Sequence, residues 1–205
     1  MWSRFIMRTS RCILLAALAA ALLLPGLGFA KCYIGGEITA ERNHNPLYPD
    51  WKYTAVIEWD TVSRYALSHL DILIDVAEGN CRCTDVAPEI VWWGVSGQAV
   101  GENDCVVEFE TELNCNGDPS IGLEGILLKF EPIEMECEPG TIGTATLFFF
   151  SDREPAPIDE EVLLLFDKFG QLTCSGYLSG VFPALPCDPV DAEGMSWDTI
   201  KGLFR

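Results

Sequence analysis

Histidine is scarce in this chain of 205 residues: only His44 and His69 are present. A serine or cysteine nucleophile would have few bases to draw on, and His44 sits in an irregular, proline-bearing stretch, so a triad is not expected. Basic residues are also few, 13 Lys and Arg against 31 Asp and Glu. An acidic surface of that kind repels nucleic acid and anionic membrane. There is no N-x-S/T sequon, which argues against a eukaryotic glycoprotein and for a bacterial source. There is no C-x-x-C pair; the nearest approach, Cys81-Arg82-Cys83, has the wrong spacing for a zinc site. The longest apolar run, Ile13–Leu24, is well short of the roughly 20 residues a spanning helix needs. No Arg-Arg pair marks the twin-arginine route, and no segment repeats.

The N-terminus is more informative. Arg4, Arg8 and Arg11 precede the apolar run, Pro25 and Gly26 break it, and Gly28-Phe29-Ala30 closes it. A basic start, a short apolar core and a small-residue cleavage site together make a secretory signal. Residues 1–30 are therefore expected to be removed, with no membrane span left after cleavage. Lipid attachment at Cys32 is not expected, because Lys31 stands where a small residue is required. Cleavage leaves ten basic and 31 acidic residues, a net charge of −21.

Cys12 leaves with the signal, and eight cysteines remain: Cys32, Cys81, Cys83, Cys105, Cys115, Cys137, Cys174 and Cys187. An even number in an exported chain reads as a disulfide framework. If Cys105 to Cys115 is one strand, its ends lie about 33 Å apart. Those two then cannot bond to each other, and Cys81 and Cys83 should each reach a different partner.

The dominant period is two. Tyr53, Ala55, Ile57 and Trp59 alternate with polar neighbours, as do Leu70, Ile72, Ile74 and Val76 with His69, Asp71, Leu73 and Asp75. Between Cys105 and Cys115, Val107, Phe109, Thr111 and Leu113 share one face, and Glu108, Glu110 and Glu112 the other. Ile90–Trp93, Ile126–Leu128, Leu147–Phe150 and Val162–Phe166 are apolar on both faces and read as central strands. Asp167-Lys168-Phe169-Gly170 reads as a hairpin turn into a strand over Gln171–Leu178. About eight strands with turns between them predict an all-β fold, an antiparallel β-sandwich of immunoglobulin-like or jelly-roll type, stapled by disulfides. The sandwich domain is expected over residues 31–187, with residues 31–50 an irregular lead-in. Residues 188–205 form a linker and a short amphipathic tail, in which Trp197, Ile200, Leu203 and Phe204 recur at helical spacing behind a Ser196 cap.

Several stretches invite a chemical reading. Glu108, Glu110 and Glu112 form the alternating acid pattern of some jelly-roll glycosidases, but Glu134, Glu136 and Glu138 repeat it, which points to wet strand faces. Gly94-Val95-Ser96-Gly97-Gln98 lacks the last glycine of a nucleophile elbow and reads as a turn between strands. Asn114, Asn116 and Asp118 supply alternate oxygens, and Asp152, Glu154, Asp159, Glu160 and Glu161 form a second acidic cluster. Structural calcium is compatible with either, though plain turns account for both. Trp92 and Trp93 are adjacent, so on a strand one faces the core and the other could be a platform for a sugar ring.

Tyr65-Ala66-Leu67-Ser68-His69-Leu70, Cys174-Ser175-Gly176 with Gly180, and the stretch Trp197–Arg205 resemble uncharacterised secreted bacterial β-rich proteins. The resemblance implies a secreted, bacterial, β-rich protein and brings no catalytic residue.

The sequence therefore points to a secreted or envelope-associated, non-catalytic structural or adhesive β-sandwich protein, extracellular or periplasmic. The alternative is a carbohydrate-binding or glycoside-cleaving jelly-roll module. The expected partners are an envelope component or a polysaccharide, and no catalytic, cofactor-binding or metal residue is assigned. N-terminal sequencing of exported material should read from Lys31; a chain that keeps Met1 and stays in membranes would refute the signal.

Overall fold

The computed structural model describes residues 32–76, 79, 81–133, 137–158 and 163–187. The expected signal, residues 1–30, and the expected linker and tail, residues 188–205, lie outside these residues. Among the described residues ten strands run in chain order: β1 (Cys32–Arg42), β2 (Trp51–Thr61), β3 (His69–Val76), β4 (Val95–Gly101), β5 (Val106–Asn114), β6 (Gly125–Pro132), β7 (Ile142–Ser151), β8 (Pro155–Pro157), β9 (Leu163–Phe169) and β10 (Leu172–Pro183). One helical turn, α1 (Cys83–Val86), lies between β3 and β4.

The strands pair in the order β1-β2-β7-β4-β5-β6-β3-β9-β10, and β10 returns to β1. Nine strands thus close into a barrel, with β8 added beside the end of β10. The expected sandwich is incorrect. Every pairing around the ring is antiparallel except the last, in which β1 and β10 run parallel from Gly35↔Tyr177 to Ile38↔Gly180. The stretch expected to be an irregular lead-in is in fact half of this seam. Alternation of apolar and polar residues specifies one buried face and is the same for a strand of a sandwich or of a small barrel.

Glycines let the seam close. A Cβ on Gly176 of β10 would lie 2.1 Å from the Ile34 carbonyl oxygen of β1. Gly180 combines a φ of +103° with a Cβ position 2.1 Å from the Ile38 carbonyl oxygen. Only glycine fits such a site without moving backbone.

Inward side chains fill the barrel. Tyr53, Ala55, Ile57 and Trp59 of β2 face Phe149, Leu147 and Ala145 of β7, all buried. Val107 and Phe109 of β5, Leu128 and Phe130 of β6, and Leu70 and Ile72 of β3 continue the core. Outward residues of β5, Glu108, Glu110 and Glu112 among them, are exposed. A membrane-spanning barrel has the reverse arrangement, with an apolar exterior. Among the described residues no helix is long and apolar enough to cross a membrane.

All eight cysteines among the described residues are bonded: Cys32–Cys174, Cys81–Cys187, Cys83–Cys115 and Cys105–Cys137. Four disulfides indicate an oxidising compartment, extracellular or periplasmic. Cys32–Cys174 joins β1 to β10 across 142 residues of chain, so it constrains a very long loop in the unfolded state. Cys105 and Cys115 stand at opposite ends of β5 and take different partners, Cys137 and Cys83.

The seam can be tested at two glycines. Gly94, at φ +60°, has nothing within 4 Å of the place a methyl group would take, whereas Gly180 is blocked by backbone. Gly180→Ala should cost about 2–3 kcal/mol and lower Tm by roughly 5–10 °C. Gly94→Ala should cost only about 1 kcal/mol. Equal melting of the two variants would show that the seam does not need its glycine.

Candidate functional site

The sequence-derived candidates separate cleanly in space. Glu108, Glu110 and Glu112 stand exposed on the outer face of β5, opposite Gln98, Glu131 and Lys129 of the neighbouring strands. Glu138 is exposed, while Glu134 and Glu136 lie outside the described residues. Ser96 is buried in a β-bulge within β4, its hydroxyl directed to the Gly94 carbonyl at 3.4 Å. The segment is therefore part of a strand, neither an elbow nor the expected turn between strands. Asn114 accepts a hydrogen bond from the Asn116 amide, shaping its own loop, whereas Asp118 turns onto the barrel wall. Asp152 accepts from the Asp50 amide at 3.0 Å; Asp159, Glu160 and Glu161 lie outside the described residues.

Trp92 packs against the core and Trp93 is 48% exposed. Trp93 belongs to a three-ring face. Its ring lies edge-on to Tyr48, with centroids 4.7 Å apart, and Tyr48 stacks on Phe150 at 4.9 Å. Phe150 points outward from β7, and Trp93 is brought beside it by a reciprocal backbone pair between Val91 and Phe150, 2.9 and 2.8 Å long. Lys52 lies over the neighbouring Phe148 ring.

Local hydrogen bonds hold these rings in place. Asn43 Oδ1 accepts from the Asn45 amide, and Asn45 Oδ1 accepts from the Leu47 amide. Asn43 Nδ2 donates to the Pro49 carbonyl at 2.9 Å. These side-chain turns shape the β1–β2 loop that carries Tyr48. On the other side Arg153 grips Glu89 with two 2.7 Å bonds, tying the segment before Trp93 to the end of β7. That grip holds the Glu89 carboxyl below its usual range.

A second region departs from the expected pattern. His69, Asp71 and Asp75 alternate with Leu70, Ile72 and Ile74, yet all three are buried instead of wet. The 114–124 segment folds over the outer wall here. Asp118 and Leu123 exchange backbone hydrogen bonds of 2.7 and 3.0 Å, which closes the segment on itself, and Cys83–Cys115 anchors its start. Leu123, Leu73 and Leu127 are buried along with it.

Beneath this cover His69 Nε2 lies 3.2 Å from Asp71 Oδ2 and 3.1 Å from Asp118 Oδ2. Lys129 Nζ lies 3.0 Å from the same Asp118 oxygen and 2.7 Å from Glu131 Oε1. Burial works against the Asp118 anion, but donors on Ser120 and Lys129 and the nearby His69 outweigh it, bringing the pKa down to about 2. Burial dominates at Asp71 and raises its carboxyl, although His69 and Lys129 oppose it. Lys129 is itself penalised by burial, yet Glu131 and Asp118 lift it to about 12.

Asp167 is different again. It faces inward beside Leu70 and is fully buried; among the described residues neither of its oxygens has a hydrogen-bond partner. Burial, reinforced by the Asp71 charge, holds its carboxyl well above the usual range.

The sequence reading passed over Tyr48, Phe150, Asp71, Lys129 and Asp167. Lys129 had a local signal, as the one cation within the apolar run Gly125–Phe130. No family model matches the chain, and a search of curated proteins finds none that matches it.

A raised carboxyl makes the folded state bind more protons than the unfolded state. Stability is then complete below the unfolded aspartate value of about 4 and falls as pH rises toward the folded value. Asp167→Asn should therefore melt close to the wild type near pH 4 and above it at pH 7. Parallel Tm–pH curves for the two proteins would show that Asp167 is not the group responsible.

Proposed function

We propose that this protein is an exported, non-catalytic adhesive barrel that holds polysaccharide on the face formed by Tyr48, Trp93 and Phe150. The carrying observation is that two exposed rings, Trp93 and Tyr48, are fixed together over the buried Phe150 ring on the outer wall. Aromatic faces suit the C–H surfaces of sugar rings, and carbonyls and carboxylates nearby suit their hydroxyls. Leu47, 81% exposed, extends the apolar surface. The acidic chain disfavours anionic polymers, so the ligand is a neutral or amino-bearing glycan. The ordered turns around Tyr48 and the Glu89–Arg153 grip support a pre-organised surface, which lowers the entropy cost of binding. Disulfides suit a protein working in the extracellular space or periplasm, and the early arginines and apolar run support secretion as the route.

Glycoside cleavage is the second reading, carried by the exposed ladder of Glu108, Glu110 and Glu112. The ladder occupies β5 and the rings sit by β7, with β4 between them.

Pull-down on insoluble chitin and cellulose tests the binding reading. The wild type should be retained on at least one of them, and Trp93→Ala or Tyr48→Ala should weaken retention about tenfold or more. Glu110→Gln should bind normally. Retention unaffected by loss of either ring, or no retention at all, refutes the reading; release of soluble sugar that Glu110→Gln abolishes supports cleavage instead.

A further inference from the structure

We propose that His69, Asp71 and Asp118 form a structural site for a divalent metal, suited to zinc, on the outer wall of the barrel beneath the 114–124 segment. The three donor atoms lie within 4.8 Å of one another, and all three residues are almost wholly buried, at 3%, 0% and 2% exposure. His69 Nε2 is 3.2 and 3.1 Å from the two carboxylate oxygens, but it makes no aligned hydrogen bond to either. Both oxygens of Asp71 also lack a hydrogen-bond partner among the described residues. Buried polar atoms that converge without aligned hydrogen bonds carry a desolvation cost, and Lys129 offsets it at Asp118 but does not reach within ion-pair distance of Asp71. A cation at their centre offsets the rest. With bonds of about 2.1 Å, neighbouring ligand atoms stand roughly 3.0–3.4 Å apart in octahedral or tetrahedral coordination; His69 Nε2 stands at that separation from each carboxylate oxygen, and an ion would draw the two carboxylates, within 4.8 Å, to the same spacing.

The donor set narrows the ion. An imidazole nitrogen argues against calcium and magnesium, which take oxygen ligands. One nitrogen and two carboxylates suit zinc, and a metal without redox chemistry suits an oxidising compartment. Charge agrees with this. With a neutral imidazole, Asp71, Asp118 and Glu131 face the single ammonium of Lys129, a local charge of −2 that a dication cancels. Lys129 touches Asp118 and Glu131 and serves as an outer partner that orients Asp118, as does the Ser120 amide, 2.7 Å from Asp118 Oδ1. The consequence is mechanical: the metal would pin the covering segment to β3, in addition to the Cys83–Cys115 bond.

The competing arrangement is a metal-free ion-pair cluster in which His69 and Lys129 hold the carboxylates. Elemental analysis and melting of the full exported chain separate the two. After dialysis against EDTA and return of zinc, the wild type should hold one zinc per chain. Its Tm should rise by about 5–10 °C at a hundredfold excess over Kd. Cobalt in place of zinc should give visible d–d absorption. Asp71→Asn and His69→Gln should lose the zinc, the Tm rise and the cobalt band. Loss of binding in both variants distinguishes the site from weak zinc capture by the acidic surface, which they leave intact. If the wild type retains no zinc and melts alike with and without it, or if both variants keep the full stoichiometry and Tm rise, the proposal is overturned. The wild-type comparison stands even where a variant fails to fold.

Discussion

The parallel contact between β1 and β10 is the constraint on which the rest of the molecule depends. A nine-stranded sheet with that contact open would expose two edges, each with unpaired amides and carbonyls. Closing it removes both edges and turns one face of every strand into a common interior. Closure demands close backbone approach, and Gly176 and Gly180 supply it, since each has a backbone carbonyl of β1 where a side chain would begin. Cys32–Cys174 then fastens the two strands at the same seam, so the first and last parts of the barrel are held covalently as well as by hydrogen bonds. Because the two strands are so far apart in sequence, the contact is entropically expensive to reach, and the disulfide lowers that cost most where the loop is longest.

Much of the barrel was legible as strands and little of it as a barrel. The alternation in Tyr53–Trp59 and Val107–Leu113 identified which residues face inward, because a buried strand face repeats every two residues whatever it packs against. That same generality hid the architecture. Gly35 and Gly36 look like loop formers in sequence, and their role is visible only when β10 lies beside them. The hairpin at Gly170, with φ +64°, was legible because its turn chemistry is local. The cluster around His69 was not: an acid or histidine alternating with leucine and isoleucine describes a wet strand face, and nothing nearby in sequence reveals that residues 114–124 return to cover it. The aromatic face was half legible. Adjacent tryptophans on extended chain must point apart, but Tyr48 and Phe150 reach Trp93 from distant segments.

The described part of the interior is packed with side chains. Small barrels are filled by their own side chains, and here the inward residues of β2, β7, β5 and β6 are buried with ring against ring, as in Tyr53 stacked on Phe149 at 5.2 Å. The features that depart from simple core packing lie on the outer wall and the loops upon it. On that wall an ordinary position is polar and exposed, as along Glu108, Glu110 and Glu112. Two patches stand out in opposite senses: one buries charged groups beneath a loop, and the other leaves Trp93 and Tyr48 partly in water over the buried Phe150. Each departure works against stability, the first through desolvation and the second through exposed apolar surface. Departures of that kind persist where something other than packing maintains them. The two patches also use the same construction, a segment outside the barrel held by Asx turns or a backbone bridge and fixed at its base by a covalent or bidentate link: Cys83–Cys115 for one, Arg153–Glu89 for the other. The barrel is thus a rigid support whose outer wall carries two independently anchored surfaces, and a change in one should leave the other standing.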